Sequence, residues 1–409
     1  MKKFILMVVI LAAVAAAVAF YLKSTTPTTT TGVRLPLTAA QHDLLASVPA
    51  SADTFALVPT AAVVRHKLFA NPIARPSLLE FARTHKLPHS WMIGGADLVV
   101  WRVGKETAYA IRVDPFRAAL VRLYLMFASG IDARVDRGKF LINAGAAEPL
   151  GTQRLDALLA SANGLGPADA LVVAQTASGG TFPPIGRPAV TAVNIGADDI
   201  MLTSVALLTS DGPAAGGATR PRFPRNALIS ATFHERPRIV GDLDRLFIAR
   251  VSHLLDDGGS VVLYDVNAGT LLPRPDGLLI ASATPQNHET VQRIESAVNT
   301  FGEVRESSGQ VFLSFDKESM RKFGSDTFVD AEWTTNDWAV RLDAKRAMPI
   351  VEKLSSNTGL RIAAPRVYRS ARDLDDWMQY LANASWVEVS HSRKAQTEEL
   401  RVRIAHSSS

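Results

Sequence analysis

The sequence contains no cysteine. Disulfides, thiol nucleophiles, iron–sulfur clusters and thiolate zinc sites are therefore excluded, although an oxidising compartment is not. Three glycine-containing signatures are also missing: the phosphate-binding loop, the dinucleotide-binding G-x-G-x-x-G pattern and the G-x-S-x-G pattern around a nucleophilic serine. We therefore predict no cofactor, no metal ion and no catalytic residue, and the balance favours a protein that is not an enzyme.

A large excess of one charge is missing as well. The chain has 44 Lys and Arg against 39 Asp and Glu, a formal net charge of +5. Three of the lysines, Lys2, Lys3 and Lys23, flank a single hydrophobic segment, and without them the formal charge is +2. Because binding to nucleic acid needs a concentrated basic surface, we do not expect a nucleic-acid partner.

What the sequence does contain is one long hydrophobic run near its start. Phe4–Leu22 comprises 19 residues without a charge. As a helix this run would be about 28 Å long, close to the roughly 30 Å hydrocarbon core of a bilayer. Lys2 and Lys3 place its N-terminal end on the cytoplasmic side, so the rest of the chain should face outward. The threonine-rich residues Ser24–Thr31 then form a polar tether.

The alternative for this run is a cleaved signal peptide, with the small residues Ala17–Ala19 as the cleavage site. The run exceeds the roughly 7 to 15 apolar residues of a signal-peptide core and continues past that site. We therefore favour an uncleaved anchor.

A pattern of two strands, a helix and a glycine recurs along the chain. Gly95–Gly130 aligns without gaps to Gly324–Gly359, and ten of the 36 aligned positions are identical. A third copy begins at Gly258, in "DGGSVVLYDV", and ends at Gly302. We therefore predict an α+β fold of duplicated β-α-β-β-α-β units, with mostly antiparallel sheets backed by helices.

The expected domain boundaries follow from this repeat. Residues 1–23 form the anchor, 24–47 the tether and lead-in, 48–215 the first repeat half, 226–322 the second half, and 323–409 a C-terminal partial repeat. The break between the halves falls in the Gly-, Pro- and Ala-rich segment Ser210–Asn226.

The residues after the tether resemble those of a bacterial envelope family. Val48–Thr54, "VPASADT", is similar to the "LPADT" opening that follows an N-terminal anchor and polar tether in envelope proteins of unknown function. The resemblance covers the N-terminal part of the chain. It implies a single pass through the inner membrane, with the bulk of the chain in the periplasm or otherwise outside the cytoplasm. Because that family has no established activity, it implies no catalytic residue.

One short pattern, A-φ-R-φ-D-x-x-R-A, is present in the first two copies. It contains Arg112, Asp114 and Arg117 in the first copy and Arg341, Asp343 and Arg346 in the second. One interpretation makes the arginines paired anion-binding residues at helix N-termini. We favour a structural interpretation, in which the aspartate caps the helix and pairs with the arginine three residues later. The third copy keeps a cap at Thr284 and has no arginines at these positions.

The helix predicted at Pro115–Ser129 has an unusually wide apolar surface. Phe116, Leu120, Leu123 and Phe127 form the expected core-facing stripe, and further apolar residues widen it. We expect this helix to be buried on nearly all sides, because a large exposed apolar patch is uncommon on a soluble domain. The alternative is a docking surface for a partner.

The anchor, the duplication and the absence of a reactive constellation predict a membrane-anchored, outward-facing envelope protein that acts as a non-enzymatic binding or scaffold module. The expected partners are the inner membrane, through Phe4–Leu22, and an envelope protein or an apolar ligand. The alternatives are an envelope hydrolase with a site in the cleft between the repeat halves, and a purely architectural spacer.

Overall fold

The computed structural model describes most of the chain from Gly32 onward. The described ranges are 32–84, 96–104, 106–127, 133–136, 138–144, 148–160, 162–175, 188–207, 218–234, 251–268, 273–298, 302–363, 365–378, 381–394 and 396–406. The predicted membrane segment Phe4–Leu22 and the tether lie outside these ranges. Within them, no helix is both long enough and apolar enough to cross a bilayer.

The described residues form two compact units. The first takes the residues up to Ala197 together with Leu202–Leu207, and the second takes Asp198–Met201 together with the residues after Leu207. Residues 226–322 and 323–409, which the repeat pattern assigns to separate segments, both lie in the second unit.

The first unit is an antiparallel sheet with helices on both faces. Its strands are β1 (Thr54–Val58), β2 (Leu98–Val103), β3 (Glu106–Arg112), β4 (Ala133–Asp136), β5 (Lys139–Ile142), β6 (Ala170–Ala174), β7 (Ala189–Ile195) and the Leu202–Leu207 part of β8 (Asp199–Leu207). Its helices are α1 (Ala39–Leu45), α2 (Ala61–Ala70), α3 (Ala74–Thr84), α4 (Pro115–Phe127) and α5 (Thr152–Ala160). The strand order is β4-β5-β3-β2-β1-β6-β7-β8.

Strand β3 shows why both faces of this sheet are covered. Its residues Ala108–Ile111 are all buried, and consecutive side chains of a strand point to opposite faces. Ala110 belongs to the same hydrophobic cluster as Leu44 of α1, on one face. Ile111 belongs to the same cluster as Val121 of α4, on the other face. The strand is therefore continuously apolar at its centre rather than alternating.

Helix α4 is not buried on nearly all sides, so that expectation is wrong. Its buried face carries Arg117, Ala118 and Val121, whereas Phe116 is 45% exposed and Leu123 is 50% exposed. A wide apolar stripe does not specify which part of it faces the sheet. The rotation of the helix places Ala118 and Val121 in one hydrophobic cluster with Ile111 of β3 and Phe140 of β5, and it turns Phe116 and Leu123 outward.

The helical region before β2 is broken at Pro72 and continues through Pro76. Helix α2 ends at Ala70 and α3 begins at Ala74, so the break surrounds Pro72. Pro76 lies in the first turn of α3, where a missing N–H removes no hydrogen bond of the helix.

The second unit is also made of antiparallel strands and several helices. Its strands are β9 (Arg222–Pro224), β10 (Ile229–Phe233), β11 (Gly259–Asn267), β12 (Arg274–Ser282), β13 (Glu303–Ser307), β14 (Gln310–Ser314), β15 (Phe328–Asp330), β16 (Trp338–Asp343), β17 (Trp386–Lys394) and β18 (Thr397–Ala405). Its helices are α6 (Pro285–Val298), α7 (Ser319–Ser325), α8 (Ala344–Ser355), α9 (Thr358–Ala363) and α10 (Pro365–Met378), with a 3-10 turn at Val251–Leu255. The predicted α+β class, with antiparallel sheet and several helices, is confirmed.

The strand orders of the two units correspond position by position. In the second unit the order is β13-β14-β12-β11-β10-β16-β17-β18, while β9 and β15 form a separate pair. The hairpin β2–β3 and its helix α4 thus correspond to β11–β12 and α6. The ungapped alignment of the sequence with itself pairs β3 with β16, but these two strands do not occupy equivalent positions in the strand order. β3 lies between β2 and β5, whereas β16 lies between β10 and β17.

Candidate functional site

The pattern shared by the first two copies forms helix caps. At the start of α4, Asp114 accepts a hydrogen bond from the amide of Arg117 (2.9 Å). At the start of α8, Asp343 accepts one from the amide of Arg346 (3.0 Å). Thr284 caps α6 in the same way. Each of these caps satisfies an amide that has no partner within the helix.

The first copy does not present two arginines to a ligand. Arg112 is exposed at the end of β3, whereas Arg117 is only 3% exposed. The Nη1 atom of Arg117 lies 3.7 Å from a carboxylate oxygen of Asp114. A ligand that approaches from solvent would therefore meet Arg112 alone.

Arg341 is held in a buried ion network. Its guanidinium carbon lies 4.4 Å from the ring centroid of Trp386, and its Nη1 atom lies 3.8 Å from a carboxylate oxygen of Glu388. Burial lowers the pKa of Arg341 and raises the pKa of Glu388, and the attraction between their charges opposes both shifts. This arrangement holds β16 against β17, and Arg341 is not available to a ligand.

Arg346 differs from the other three arginines of the pattern because it borders a cavity. Its Nη1 atom donates to the carbonyl oxygen of Asn226 (2.9 Å), and its Nη2 atom donates to that of Tyr264. The cavity has a volume of about 310 Å³, at the small end of the roughly 300–1,000 Å³ of small-ligand sites. Its lining residues are Asn226, Tyr264, Lys322, Ser325, Asp326 and Arg346.

Several short segments of the second unit build this cavity. Asn226 lies in the turn between β9 and β10, Tyr264 lies on β11, and Lys322 and Ser325 lie on α7. Asp326 follows α7, and its carboxylate accepts hydrogen bonds from the amide (3.2 Å) and the side-chain Nδ2 (2.9 Å) of Asn226. These bonds fix the β9–β10 turn to the end of α7.

Tyr264 occupies an unusual position in the cavity wall. The register of β11 on β12 shifts between Leu263 and Asp265, so Tyr264 is the extra residue of a β-bulge. Bulges commonly re-aim a side chain beside a functional site. The tyrosine is 4% exposed, and its buried hydroxyl makes no hydrogen bond to any described residue.

The Tyr264 hydroxyl is a hydrogen-bond donor that lacks a well-placed acceptor. Burial, and then the nearby carboxylate of Asp326, raise the pKa of Tyr264, so the hydroxyl keeps its proton at neutral pH. The contact between that carboxylate and the hydroxyl contributes to the raised pKa, but its geometry falls short of a full hydrogen bond. A buried polar group without a partner costs about 1–3 kcal/mol, and it calls for a specific explanation.

Two of the three charged residues that line the cavity are cations, and Asp343 lies just outside the lining, 3.9 Å from the Nη1 atom of Arg346. Lys322 and Arg346 contribute two cations, and Asp326 contributes one carboxylate that Asn226 already engages. The Nζ atom of Lys322 lies 5.9 Å from the ring centroid of Tyr264, where the ring face attracts a cation. The wall therefore offers donors and positive charge together.

Sequence reasoning found Arg346 and missed the other lining residues. One signal was available. Gly277 stands inside β12 opposite the bulge, and an isolated glycine in a strand often marks a bulge or a close approach. A Cβ atom on Gly277 would lie 2.3 Å from the carbonyl oxygen of Val262. That signal points to the bulge, but not to the helix and turn that complete the cavity.

A second polar cluster in the same unit surrounds His391. Its Nδ1 atom is hydrogen-bonded to Asp337 and its Nε2 atom to Glu398 (2.7 Å), and Trp338 stacks on the ring. Burial by itself would lower the pKa of His391, but the hydrogen bonds to Asp337 and Glu398 outweigh it and raise the pKa. Because both ring nitrogens are engaged, His391 has no site at which to take a proton from a nucleophile.

Metal ligation has no candidate in the part of the chain that the structure describes. No group of three or more His, Asp and Glu side chains there has an arrangement that could hold a metal ion.

Comparisons with known proteins assign the chain to no family. No protein-family model matches it, and no curated protein matches it significantly. Among solved structures, crystal form III of TP0453 shows 9% sequence identity, and the match covers 69% of this chain and 96% of that chain with a TM-score of 0.20. A likeness of this size carries no argument about fold or function.

Proposed function

We propose that the chain is a membrane-anchored, outward-facing envelope protein that acts as a non-enzymatic binding module for a small anionic ligand. The observation that carries the proposal is the buried hydroxyl of Tyr264, which lacks a full hydrogen bond, in the wall of a cavity that two cations line. A ligand oxygen would accept the hydrogen bond that the protein does not supply, and Lys322 and Arg346 would balance the ligand's charge.

The polar lining favours an anion over the apolar ligand that the sequence suggests. Small-ligand sites combine an apolar wall with a few polar groups that fix orientation. Here five of the six lining residues, all except Tyr264, have polar or charged side chains. A carboxylate or a phosphate group matches two cations and a protonated hydroxyl better than a hydrocarbon does. The anchor and tether of the N-terminal residues support an outward-facing location for this site.

An envelope hydrolase has less support than a binding module. The hydroxyl of Thr219 lies 3.1 Å from the Nε2 atom of His234, which is the contact that a nucleophile and its base would make. In the described part of the chain no carboxylate contacts the other nitrogen of that ring, so the orienting third group of a triad is missing there.

We also infer that the two units are copies of one ancestral β-α-β-β-α-β unit. Their corresponding strand orders support this inference. So does the junction before the helix, where Asp114-Pro115 in one unit corresponds to Thr284-Pro285 in the other. The structural copy of the first hairpin is therefore the segment that starts at Gly258, in place of the segment that starts at Gly324.

Binding can be tested with the full chain in detergent at low ionic strength. Succinate and inorganic phosphate would be titrated separately into the wild-type protein, Tyr264→Phe and Lys322→Gln, with calorimetry and thermal shift as readouts. We expect one anion to bind the wild type and to bind both variants at least about ten-fold more weakly, since a hydrogen bond to a charged group contributes about 1.5–3 kcal/mol.

Tyr109→Phe is the matched control, because Tyr109 is also a buried strand tyrosine but lies in the first unit. It should leave the affinity unchanged. Equal affinity of all four proteins, or no response of the wild type to either anion, would refute the proposed function.

A further inference from the structure

Helix α4 carries an apolar outer face, defined here as Phe116, Ala119, Arg122 and Leu123. All four residues are exposed, Phe116 by 45% and Leu123 by 50%. The helix contains no acidic residue, and Arg122 is the charge on this face. A surface helix of a soluble domain normally turns polar residues to solvent, so the outer face departs from the usual pattern.

Helix α6 of the second unit provides an internal comparison. It follows β12 as α4 follows β3, and it also begins with a capping residue and a proline. The third helical residue is buried in both, Arg117 at 3% and Asn287 at 2% exposure. Val121 and Val291 are buried at the same later position. The two helices therefore pack with the same rotation.

Their outer faces nevertheless differ in chemistry. The positions of the four outer-face residues of α4 are occupied in α6 by Gln286, Glu289, Gln292 and Arg293, all of which are exposed. The fold is therefore compatible with a fully polar outer face. The apolar outer face of α4 belongs to the unit that is joined directly to the N-terminal segment.

The chain enters the first unit at the end of the sheet where α4 begins. Val33 forms an antiparallel bridge with Ala168, just before β6. The register pairs Leu171 with Leu57, near the end of β1, and Leu98 with Ile111, near the end of β3. The start of β6 and the end of β3 thus lie at the same end of the sheet, and α4 starts there.

The tether keeps this end close to the predicted anchor. Gly32 lies ten positions after Leu22, and a fully extended chain of that length spans at most about 35 Å. The entry point of the first unit therefore lies within about 35 Å of the outer end of the predicted anchor.

We propose that the outer face of α4 docks on the anionic surface of the membrane that the N-terminal segment enters. This inference rests on the proposed anchoring and is separate from ligand binding. Phe116 and Leu123 enter the boundary between headgroups and acyl chains, as in amphipathic helices that lie on membranes. Arg122, together with the exposed Arg112 at the end of β3, contacts anionic headgroups. The absence of acidic residues from the helix avoids repulsion.

The absence of cysteine makes a site-specific test direct. Leu123→Cys and the matched control Arg293→Cys would each be labelled with an environment-sensitive fluorophore in the full chain, incorporated in phosphatidylcholine vesicles with and without phosphatidylglycerol. We expect iodide to quench the label at position 123 about three-fold less than the label at 293 when anionic lipid is present, since the docked face sits below the headgroups. Ala119→Cys repeats the measurement if Leu123→Cys fails to fold.

Equal quenching at 123 and 293 would overturn the docking proposal. So would protection at 123 that rises with protein concentration in detergent without vesicles, because a second copy of the chain would then cover the face. Alkaline carbonate extraction tests the anchor separately. If the chain is released, the label still reports whether α4 binds added vesicles, so a failure of the anchor and a failure of docking are distinguishable.

Discussion

The hydroxyl of Tyr264 can be tested as a single group. In the ligand-free protein it has no partner among the described residues, so Tyr264→Phe should raise the free energy of unfolding by about 1 kcal/mol. Tyr109→Phe should give no such gain. Chemical denaturation of the two variants measures both effects. A loss of stability in Tyr264→Phe comparable to that of a hydrogen-bonded buried tyrosine would show that the group is satisfied, and would remove the basis for a ligand.

His391 should make stability depend on pH above its unfolded pKa of about 6.5. Its pKa is raised in the folded protein, so its contribution is fully present below the unfolded value of about 6.5 and is lost as the pH rises through the folded value. The groups that face it are Asp337, Glu398 and Arg393, the last at 3.7 Å from Asp337. Thermal unfolding from acid to mildly alkaline pH should show this loss in the wild type.

The variant His391→Gln isolates that effect. It leaves two buried carboxylates without their cation, so we expect a loss of about 3 kcal/mol below pH 6.5 and a smaller loss at alkaline pH. If the stability of the variant and that of the wild type changed with pH in the same way, His391 would not be charged in the folded protein.

At the scale of elements, the turn into β11 depends on Gly258. Its φ is +85°, and a Cβ atom there would lie 2.6 Å from the carbonyl oxygen of Phe233. Gly258→Ala should therefore lower the free energy of unfolding by about 2 kcal/mol or more. Gly324→Ala is the control, because nothing lies within 4 Å of its Cβ position in α7 and alanine favours a helix by up to about 1 kcal/mol. Equal effects in urea denaturation would contradict this account.

The elements also show which local rules were sufficient. The caps at Asp114, Thr284 and Asp343 were predictable because a cap involves residues three positions apart in the chain. The orientation of α4 was not, because five or more apolar positions around a helix leave several rotations open. The packing of Ala118 and Val121 with Phe140 of β5 selects one of them, and β5 follows the helix only after a further strand.

At the scale of the whole molecule, the first property to establish is the location of the chain in the cell. An uncleaved anchor predicts that the mature protein retains the residues before Ala17 and resists extraction from membranes by alkaline carbonate. Mass spectrometry of the N-terminal peptide, made in the native host, measures this. A mature chain that begins at Phe20 would identify a cleaved signal peptide, and the protein would then be released to the periplasm.

The hydrophobic periodicity, the turn-forming residues and the charge pattern could be interpreted from the sequence alone. They gave the α+β class, the strand that follows Gly258-Gly259, the helix caps and the hydrophobic N-terminal run, because each depends on residues close together in the chain. These local patterns could not predict which distant strands pair with one another. The alignment of Gly95–Gly130 with Gly324–Gly359 is ungapped, yet it joins β3 to β16, which have different neighbours in their sheets.

Only the tertiary structure decided the candidate site. Asn226, Tyr264, Lys322 and Arg346 are widely separated in the sequence, and they meet because a bulge in β11, the short helix α7 and the start of α8 converge. Whether a polar group finds a partner depends on all of its neighbours at once. From the sequence, a tyrosine in a strand is therefore predicted to be a core residue. Only the folded structure shows that its hydroxyl lacks a well-placed acceptor.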